Sequence, residues 1–426
     1  MDSIQIILLL AVYVGLVIFA MRGGNLIFGF IVSALAWAVI GQVPYMATIN
    51  DIIQKGAESY GPTAIVVIFG SWFGRMLVET NIAGSLIRRA VELGGDKQLV
   101  TTILVSIVTT FIFTSTFGVG AVIAIGVIAL PVLFSIGVPE RVAVPAFTMS
   151  IGAAMYINQV LFKQIVMFFP KDAVPFNGPY FTFGVTAMAV SIAIIILMLV
   201  FNLSLRMPAK AWAVTAPQTN NAMHVPFIAY IVPIVPVVMA VAFNWPPLPG
   251  IILAIILTLV ATGRLLPWSN AQSMLLRALK DGTTDVALLL GMLFMLAMFG
   301  AAAGKVAPIF KAVLGPFIPT NPWVIAIAFG VLAPLGLFRG PLMAWGAGSA
   351  TIAILVGMKL FPPALLLPLV YVPTISMAIA MCPTQSWNLW SISFSKLPIT
   401  EHLKTGVAWA WLTVIVNALL AVYMFR

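Results

Sequence analysis

Apolar runs of about 20 residues, the length that a helix needs to cross a bilayer, recur from the first residues of the chain to the last. Short polar stretches separate these runs. The apolar residues are continuous within each run, whereas the strands of a membrane barrel require alternation. The pattern therefore predicts an all-α polytopic membrane protein.

The runs divide the chain into two halves of similar order. In the first half we predict a pair of spans (Ile4–Met21 and Asn25–Val43), an interfacial segment (Thr48–Gly61), a third span (Pro62–Val78) and a surface helix (Asn81–Asp96). Two helices around a polar break (Leu99–Phe113 and Ala121–Ile136), a long interrupted helix (Arg141–Met167) and a closing span (Phe181–Leu203) follow. The second half gives Pro226–Phe243, Gly250–Thr262, the interfacial segment Asn270–Thr284, Asp285–Ala303, Val324–Leu337 with Ser349–Leu360, Pro363–Met381, and Val407–Phe425.

Short motifs also recur between the halves. Phe69-Gly70, Gly74 and Arg75 recur as Phe299-Gly300, Gly304 and Lys305; Gly118-x-Gly120 recurs as Gly346-x-Gly348; and Asn158-Gln159 has a counterpart in Thr384-Gln385. The three matches keep their order and nearly the same displacement, which predicts an internal duplication. Duplications of this kind typify secondary transporters, which bind substrate near the midplane at interrupted helices. We predict a first inverted repeat over residues 1–205, a cytoplasmic linker over 206–224 and a second inverted repeat over 225–426.

Basic residues predict the orientation. Arg22, Arg75 and Lys97 fall on one side of the first spans, and the opposite side is mostly acidic. The positive-inside rule then places both termini outside the cytoplasm, in the periplasm or the extracellular space. Lys305 and Lys311 fall on the outer side and count against this orientation. We expect a multi-pass protein of the cell inner membrane.

Composition narrows the functional classes. Hydrophobic residues make up 62% of the chain and charged residues only 8%, with a formal net charge of +10. In a membrane protein, contact with anionic lipid headgroups accounts for such a charge, so we expect membrane lipid and no nucleic acid as partners. The single Cys382 excludes an intramolecular disulfide. The chain lacks a cluster of Cys and His and the usual phosphate-loop and hydrolase motifs, so we predict no cofactor and no enzyme activity, and leave metal ligands unknown.

The stretch from Phe338 to Thr351 carries the most unusual chemistry, because it places a guanidinium, a proline and three glycines inside an apolar region. A charged side chain inside a bilayer costs at least about 2.5–3.5 kcal/mol and is usually functional. Arg339 can offer two parallel donors to a carboxylate, or it can reach water from the end of a span. Small and hydroxylated residues follow it, and they suit either an anion site at a restarting helix or close helix packing. These residues are Gly346, Gly348, Ser349 and Thr351.

The same argument applies to the upstream stretch Ser115, Thr116, Gly118 and Gly120. Two amide-rich interruptions complete the candidate substrate site: Asn158 with Gln159, and Thr384, Gln385 and Asn388. Amides and hydroxyls can bind the hydroxyls of a sugar acid, ligate a cation, or bond to neighbouring helices. Acidic residues lie near predicted span ends, and Glu58 and Asp285 are the best candidates for a proton site. A charge that stabilises a helix N-terminus is the alternative for both.

The motifs resemble the ion transporter superfamily, and above all its gluconate permease family of organic acid/proton symporters. Gly348 to Ala353 resembles the family's GSAT-V-A segment, Ile68 to Arg75 resembles its FG-x3-GK segment, and Trp387 to Thr405 resembles its carboxy-terminal pattern. The resemblance implies inverted repeats, each with a re-entrant hairpin and a discontinuous helix. It also implies a scaffold domain that forms a homodimer, and a mobile transport domain.

Taken together, these features predict an elevator-like secondary transporter. It would move a small organic anion, a carboxylate or sugar acid, coupled to H+ or Na+. A passive organic-anion channel is the alternative from another class, and a cation/proton antiporter of the same superfamily is a third possibility.

Overall fold

The computed structural model describes residues 2–205 and 225–426, and every regular element in these residues is a helix. The expected linker over 206–224 lies outside the described residues. We number the helices along the chain as follows: α1 Asp2–Met21, α2 Leu26–Ile40, α3 Tyr45–Glu79, α4 Ile82–Gly94, α5 Gln98–Phe113, α6 Val119–Ser135, α7 Glu140–Ala154, α8 Gln159–Val166, α9 Pro179–Ser204, α10 Phe227–Phe243, α11 Pro247–Ala261, α12 Trp268–Leu314, α13 Pro322–Val331, α14 Gly348–Met358, α15 Pro363–Ile379, α16 Ser386–Phe394 and α17 Ile399–Phe425.

The all-α polytopic class predicted from the sequence is confirmed. Among the described residues, five helices are long and apolar enough to cross a membrane: Ile4–Met21, Tyr45–Glu79, Pro179–Ser204, Trp268–Phe317 and Ile399–Phe425. Several other apolar helices are shorter, because the chain breaks where the sequence carries glycine, proline and polar residues. One such break bends Pro322–Val331 and Ala333–Arg339 by 53°.

The two segments expected at the membrane interface are instead parts of long helices. Thr48–Gly61 belongs to α3, and Asn270–Thr284 belongs to α12, which runs for 47 residues. The sequence pattern was misleading because charged residues in the α3 segment have ionic partners on α12, and charged residues in the α12 segment have ionic partners on α3. Lys305 Nζ, for example, lies 2.8 Å from Asp51 Oδ2. That contact also gives a role to Lys305, which the orientation rule left unexplained.

Helices α3 and α12 pack against each other in antiparallel fashion. Arg75 pairs with Asp285 near one end and Asp51 pairs with Lys305 near the other. Arg75 and Lys305 are the basic residues of the two matched Phe-Gly motifs, and each binds an acid of the opposite helix. An antiparallel pair of this kind is what an inverted duplication would produce. The inverted relation itself stays a prediction.

We expect Asp285→Asn to lower the free energy of unfolding by about 1–3 kcal/mol, because hydrogen bonds to charged groups contribute that much and Arg75 would keep an unpaired charge. The Arg75 and Asp285 side chains are only 27% and 14% exposed. The matched control is Glu401→Gln, which removes the more exposed pair with Lys404 and should change stability by less than about 0.5 kcal/mol. Thermal unfolding in detergent measures the stability change of both variants. Equal shifts would contradict a stabilising role for the Arg75–Asp285 pair.

Each half of the described chain contains two helix breaks in the same order. In the first half, α5 ends at Phe113 and α6 begins at Val119, and a short 3-10 turn then separates α7 from α8. In the second half, a bent loop precedes α14, and a polar turn separates α15 from α16. The positions of the four breaks agree with the polar interruptions in the sequence.

Candidate functional site

Three of the four breaks contribute to one cavity of about 720 Å³. The first break supplies Phe117, Gly118 and Val119, the loop before α14 supplies Phe338, Arg339 and Trp345, and the turn before α16 supplies the segment from Pro383 to Trp387. The rest of the wall comes from α12, from the turn between α1 and α2, and from single residues of three other helices: Gln164 of α8, Leu389 of α16 and Ile399 of α17. The cavity therefore lies between the long helix α12 and the tips of the broken helices.

The backbone of the Arg339 loop has an unusual conformation. Phe338 and Arg339 have φ values of 51° and 60°, in the left-handed region that residues with a side chain rarely adopt. Such residues cost about 1–3 kcal/mol each and persist where the surroundings hold them. Here the Phe338 N–H donates to Cys382 Sγ at 3.1 Å. The conformation directs the Arg339 side chain to the cavity wall.

The Arg339 guanidinium is held by main-chain oxygens. Nη2 donates to the Thr384 carbonyl at 3.1 Å and Nη1 donates to the Trp345 carbonyl at 3.4 Å. Arg339 forms no ion pair with a carboxylate among the described residues. A guanidinium carries five N–H donors, and two carbonyls do not neutralise its charge. The positive charge is therefore available to an anion in the cavity.

Asp285, the one acidic residue that the described part of the chain contributes to the cavity wall, already has a partner. Asp285 accepts two hydrogen bonds from Arg75, at 2.6 Å from Nε and 2.7 Å from Nη2. This bidentate geometry is the strongest form of an arginine–carboxylate contact. Asp285 therefore does not cancel the charge of Arg339. It also lies in the interior of α12, so the explanation of its charge as a helix N-terminal feature does not hold.

Gly120 makes room for this ion pair. A Cβ atom on Gly120 would lie 2.5 Å from Asp285 Cγ and 2.5 Å from Arg75 Nη2, much closer than van der Waals contact. Gly118 has a φ of 108° and lines the cavity directly. The two glycines of this motif thus have different roles, since one faces the cavity and the other faces the Arg75–Asp285 pair.

The N-termini of α6 and α16 are among those that reach the cavity. The first hydrogen bond that closes α6 runs from Val122 N–H to the Gly118 carbonyl, and that of α16 runs from Leu389 N–H to the Gln385 carbonyl. The N–H groups that precede these donors have no acceptor within their own helix. Such N-termini carry partial positive charge and favour anions. Their partial charges add to the positive electrostatic potential of the Arg339 guanidinium.

The small residues after Arg339 build the loop and do not line the cavity. The N–H groups of Ala347 and Gly348 donate to the carbonyls of Arg339 and Gly340, at 2.9 Å and 3.2 Å. The Ser349 hydroxyl donates to the Gly346 carbonyl and the Thr351 hydroxyl donates to that of Pro341. The expected anion site at the start of α14 is thus closed by the chain's own hydrogen bonds.

The buried amides behind the cavity bond to the main chain. Gln159 Nε2 donates to the Pro236 carbonyl at 2.7 Å, while Asn158 and Asn388 each donate to two carbonyls at the breaks. The Thr116 hydroxyl donates to the Ile112 carbonyl, and Ser115 Oγ is buried without a partner among the described residues. Of the residues proposed from the sequence, the structure brings only Gly118, Arg339, Thr384 and Gln385 into the cavity wall.

Sequence reasoning missed Asn25, in the turn between α1 and α2, and two further polar residues of the wall, Gln164 and Ser386. Gln164 is fully buried and its Oε1 has no hydrogen-bond partner among the described residues. Both residues adjoin polar interruptions that the sequence does show, Lys163 in one case and Gln385 in the other. The missing information was which side of each short helix faces the cavity.

The other proton-site candidate, Glu58, lies exposed on α3 and accepts a hydrogen bond from Gln54 Nε2.

The fold is similar to that of a solved membrane transporter. The crystal structure of the Alcanivorax borkumensis YdaH transporter, described as having an unusual topology, matches with a TM-score of 0.53 at 15% sequence identity. The match covers 89% of this chain and 87% of that chain. No protein-family model and no curated protein sequence matches the chain. This likeness shows that the two chains share a polytopic membrane fold, and the gluconate permease resemblance stays a prediction.

Proposed function

We propose that the protein is a secondary active transporter for a small organic anion, a carboxylate or sugar acid. The observation that carries this proposal is the Arg339 guanidinium, which reaches a largely apolar cavity without a carboxylate partner among the described residues. A partly buried charge without a counter-ion is costly, and binding an anion offsets that cost. A carboxylate would accept two parallel hydrogen bonds from the guanidinium.

The other features of the cavity agree with this substrate class. Its volume of about 720 Å³ lies within the range of small-molecule sites, about 300–1,000 Å³. Gln164, Gln385 and Ser386 provide neutral donors and acceptors for the hydroxyls of a sugar acid. The cavity also lies between α12 and the broken helices, where rigid-body movement of one group against the other would expose it alternately. That arrangement supports alternating access by rigid-body movement, and we propose that the movement is elevator-like.

Coupling, assembly and orientation complete the proposal. Transport would be coupled to H+ or Na+ as symport, the protein would act as a homodimer in the cell inner membrane, and both termini would face away from the cytoplasm. A passive organic-anion channel is the second candidate, since the cavity wall offers no unpaired acid among the described residues for a proton. The bidentate Arg75–Asp285 pair argues against a cation/proton antiporter, which needs an embedded carboxylate that is free to bind the cation and the proton in turn.

The test begins with a thermal-shift screen of organic acids on the purified protein. We expect a subset of small carboxylates to raise the unfolding temperature in a saturable manner, and uncharged analogues such as the matching amides to have no effect. Uptake of the best ligand into proteoliposomes against a concentration gradient then separates a transporter from a channel. Stabilisation by organic cations in place of anions would refute the substrate class, and uptake that stops at equal concentrations would favour the channel.

A further inference from the structure

Backbone carbonyls at helix breaks are the groups with which secondary transporters coordinate coupling cations such as Na+. In this chain, side-chain nitrogens already occupy such carbonyls at breaks in both halves. The three side chains concerned are Asn158, Asn388 and Arg339. Each donates to two main-chain oxygens at helix breaks. Two of these oxygens also have a second donor, since the Cys382 carbonyl accepts the Gln385 N–H at 3.0 Å and the Ile379 carbonyl accepts Trp387 Nε1–H at 3.3 Å.

In the first half, Asn158 joins two breaks. Its Nδ2 lies 2.9 Å from the Phe113 carbonyl and 2.9 Å from the Thr116 carbonyl, both at the end of α5. Its Oδ1 accepts the Leu161 N–H at 3.0 Å and so caps α8. The capping contact fixes the amide orientation, because only the NH₂ group is left to face the two carbonyls.

In the second half, Asn388 performs the corresponding task. Its Nδ2 donates to the Ile379 carbonyl at 2.9 Å and to the Cys382 carbonyl at 3.0 Å, at the end of α15. The reverse orientation of the amide would place three oxygens against one another without a proton between them. Arg339 adds a permanent positive charge beside this turn through its hydrogen bond to the Thr384 carbonyl.

We propose that Asn158, Asn388 and Arg339 determine the specificity for the coupling ion by filling, with N–H donors, the carbonyl positions at which Na+ would bind. An oxygen that accepts an N–H at 2.9 Å has its donor where a cation would sit. The protein should therefore bind no Na+ at these breaks, and transport should not require it. The statement about transport rests on the function proposed above, whereas Na+ binding by the purified protein can be measured without any organic anion.

The test compares the thermal unfolding of the detergent-solubilised protein in sodium chloride with that in choline chloride of equal concentration. We expect no sodium-specific shift for the unmodified protein. Asn388→Asp and Asn158→Asp each replace the NH₂ donor by a carboxylate oxygen facing the same two carbonyls. Three oxygens then surround a position that a hard cation prefers. We expect each variant to gain a saturable, sodium-specific rise of about 1–2 °C, the shift that about 1–2 kcal/mol gives in a chain of 426 residues with an unfolding entropy of about 2.1 cal/mol/K per residue.

Asn177→Asp serves as the control, because Asn177 is a partly exposed residue away from the breaks and should acquire no sodium dependence. A saturable sodium shift in the unmodified protein would overturn the proposal. So would the absence of a shift in both folded break variants, since the carbonyl pairs would then not be potential cation sites. If one variant fails to fold, the other variant and the unmodified protein still decide the question. If uptake were lost entirely in sodium-free buffer while the thermal results were as expected, only the statement about transport would be refuted.

Discussion

Arg339→Ala is expected to abolish the binding and uptake of organic anions while leaving the protein folded. Truncating one partner of a buried charged pair costs about 2–5 kcal/mol, or about 30- to 5,000-fold in affinity. The left-handed backbone gives no additional penalty, since alanine and arginine both carry a Cβ atom there. Thermal-shift titration with the best organic acid, followed by proteoliposome uptake, measures the loss.

Two further variants show whether the loss comes from the charge at the cavity. Arg339→Lys keeps the charge but loses the planar pair of donors, so its affinity should fall between that of the alanine variant and that of the unmodified protein. Arg277→Ala is the matched control, because Arg277 is an arginine of α12 whose side chain is 64% exposed. The Arg277→Ala variant should bind anions with unchanged affinity. Normal uptake by folded Arg339→Ala would refute the proposed substrate contact.

Gly346→Ala is expected to have the second largest effect, although Gly346 does not line the cavity. A Cβ atom there would lie 2.5 Å from the Arg339 carbonyl carbon and 2.8 Å from the Arg339 Cα. Both are backbone atoms that cannot rotate away, so the Arg339 segment must shift. Overpacking of this kind costs about 1–3 kcal/mol, and a displaced guanidinium should weaken anion binding at least about tenfold, equivalent to 1.4 kcal/mol.

The control for this substitution is Gly304→Ala. Gly304 lies inside α12, and a Cβ atom on it would meet nothing within 4 Å. Alanine should therefore be tolerated and even favour the helix. Thermal unfolding and anion titration of both variants give the comparison. An unchanged affinity in Gly346→Ala would show that the position of the Arg339 loop does not control anion binding.

The sequence predicted the helix breaks better than the functions of the residues at those breaks. Glycine, proline and polar runs interrupt helices for local reasons, because they remove donors, permit left-handed backbone or compete for hydrogen bonds. The interruption at Asn158-Gln159 is an example, since α8 starts at Gln159. The long helices were less predictable, because the polar surface of α3 resembles an interfacial segment until its partners on α12 are known.

Residue type alone did not separate the cavity wall from its support. Gly346 to Thr351 carries the composition of an anion site, yet its donors are used within the loop that positions Arg339. Asn158 and Asn388 have the composition of a ligand site, yet they join helix breaks. Small residues and amides suit ligand contact and close packing equally well, and the choice depends on which atoms come near them.

The amino-acid sequence by itself determined that the chain is helical, lies in a membrane and carries a charged residue at a break in an apolar region, because each of these properties follows from local composition and from the cost of exposing polar groups to lipid. Only the tertiary structure decided that Arg75 neutralises Asp285 and that Arg339 meets carbonyls in place of a carboxylate. These contacts join residues far apart in the chain. Their existence depends on how the helices pack, and local patterns do not encode that packing.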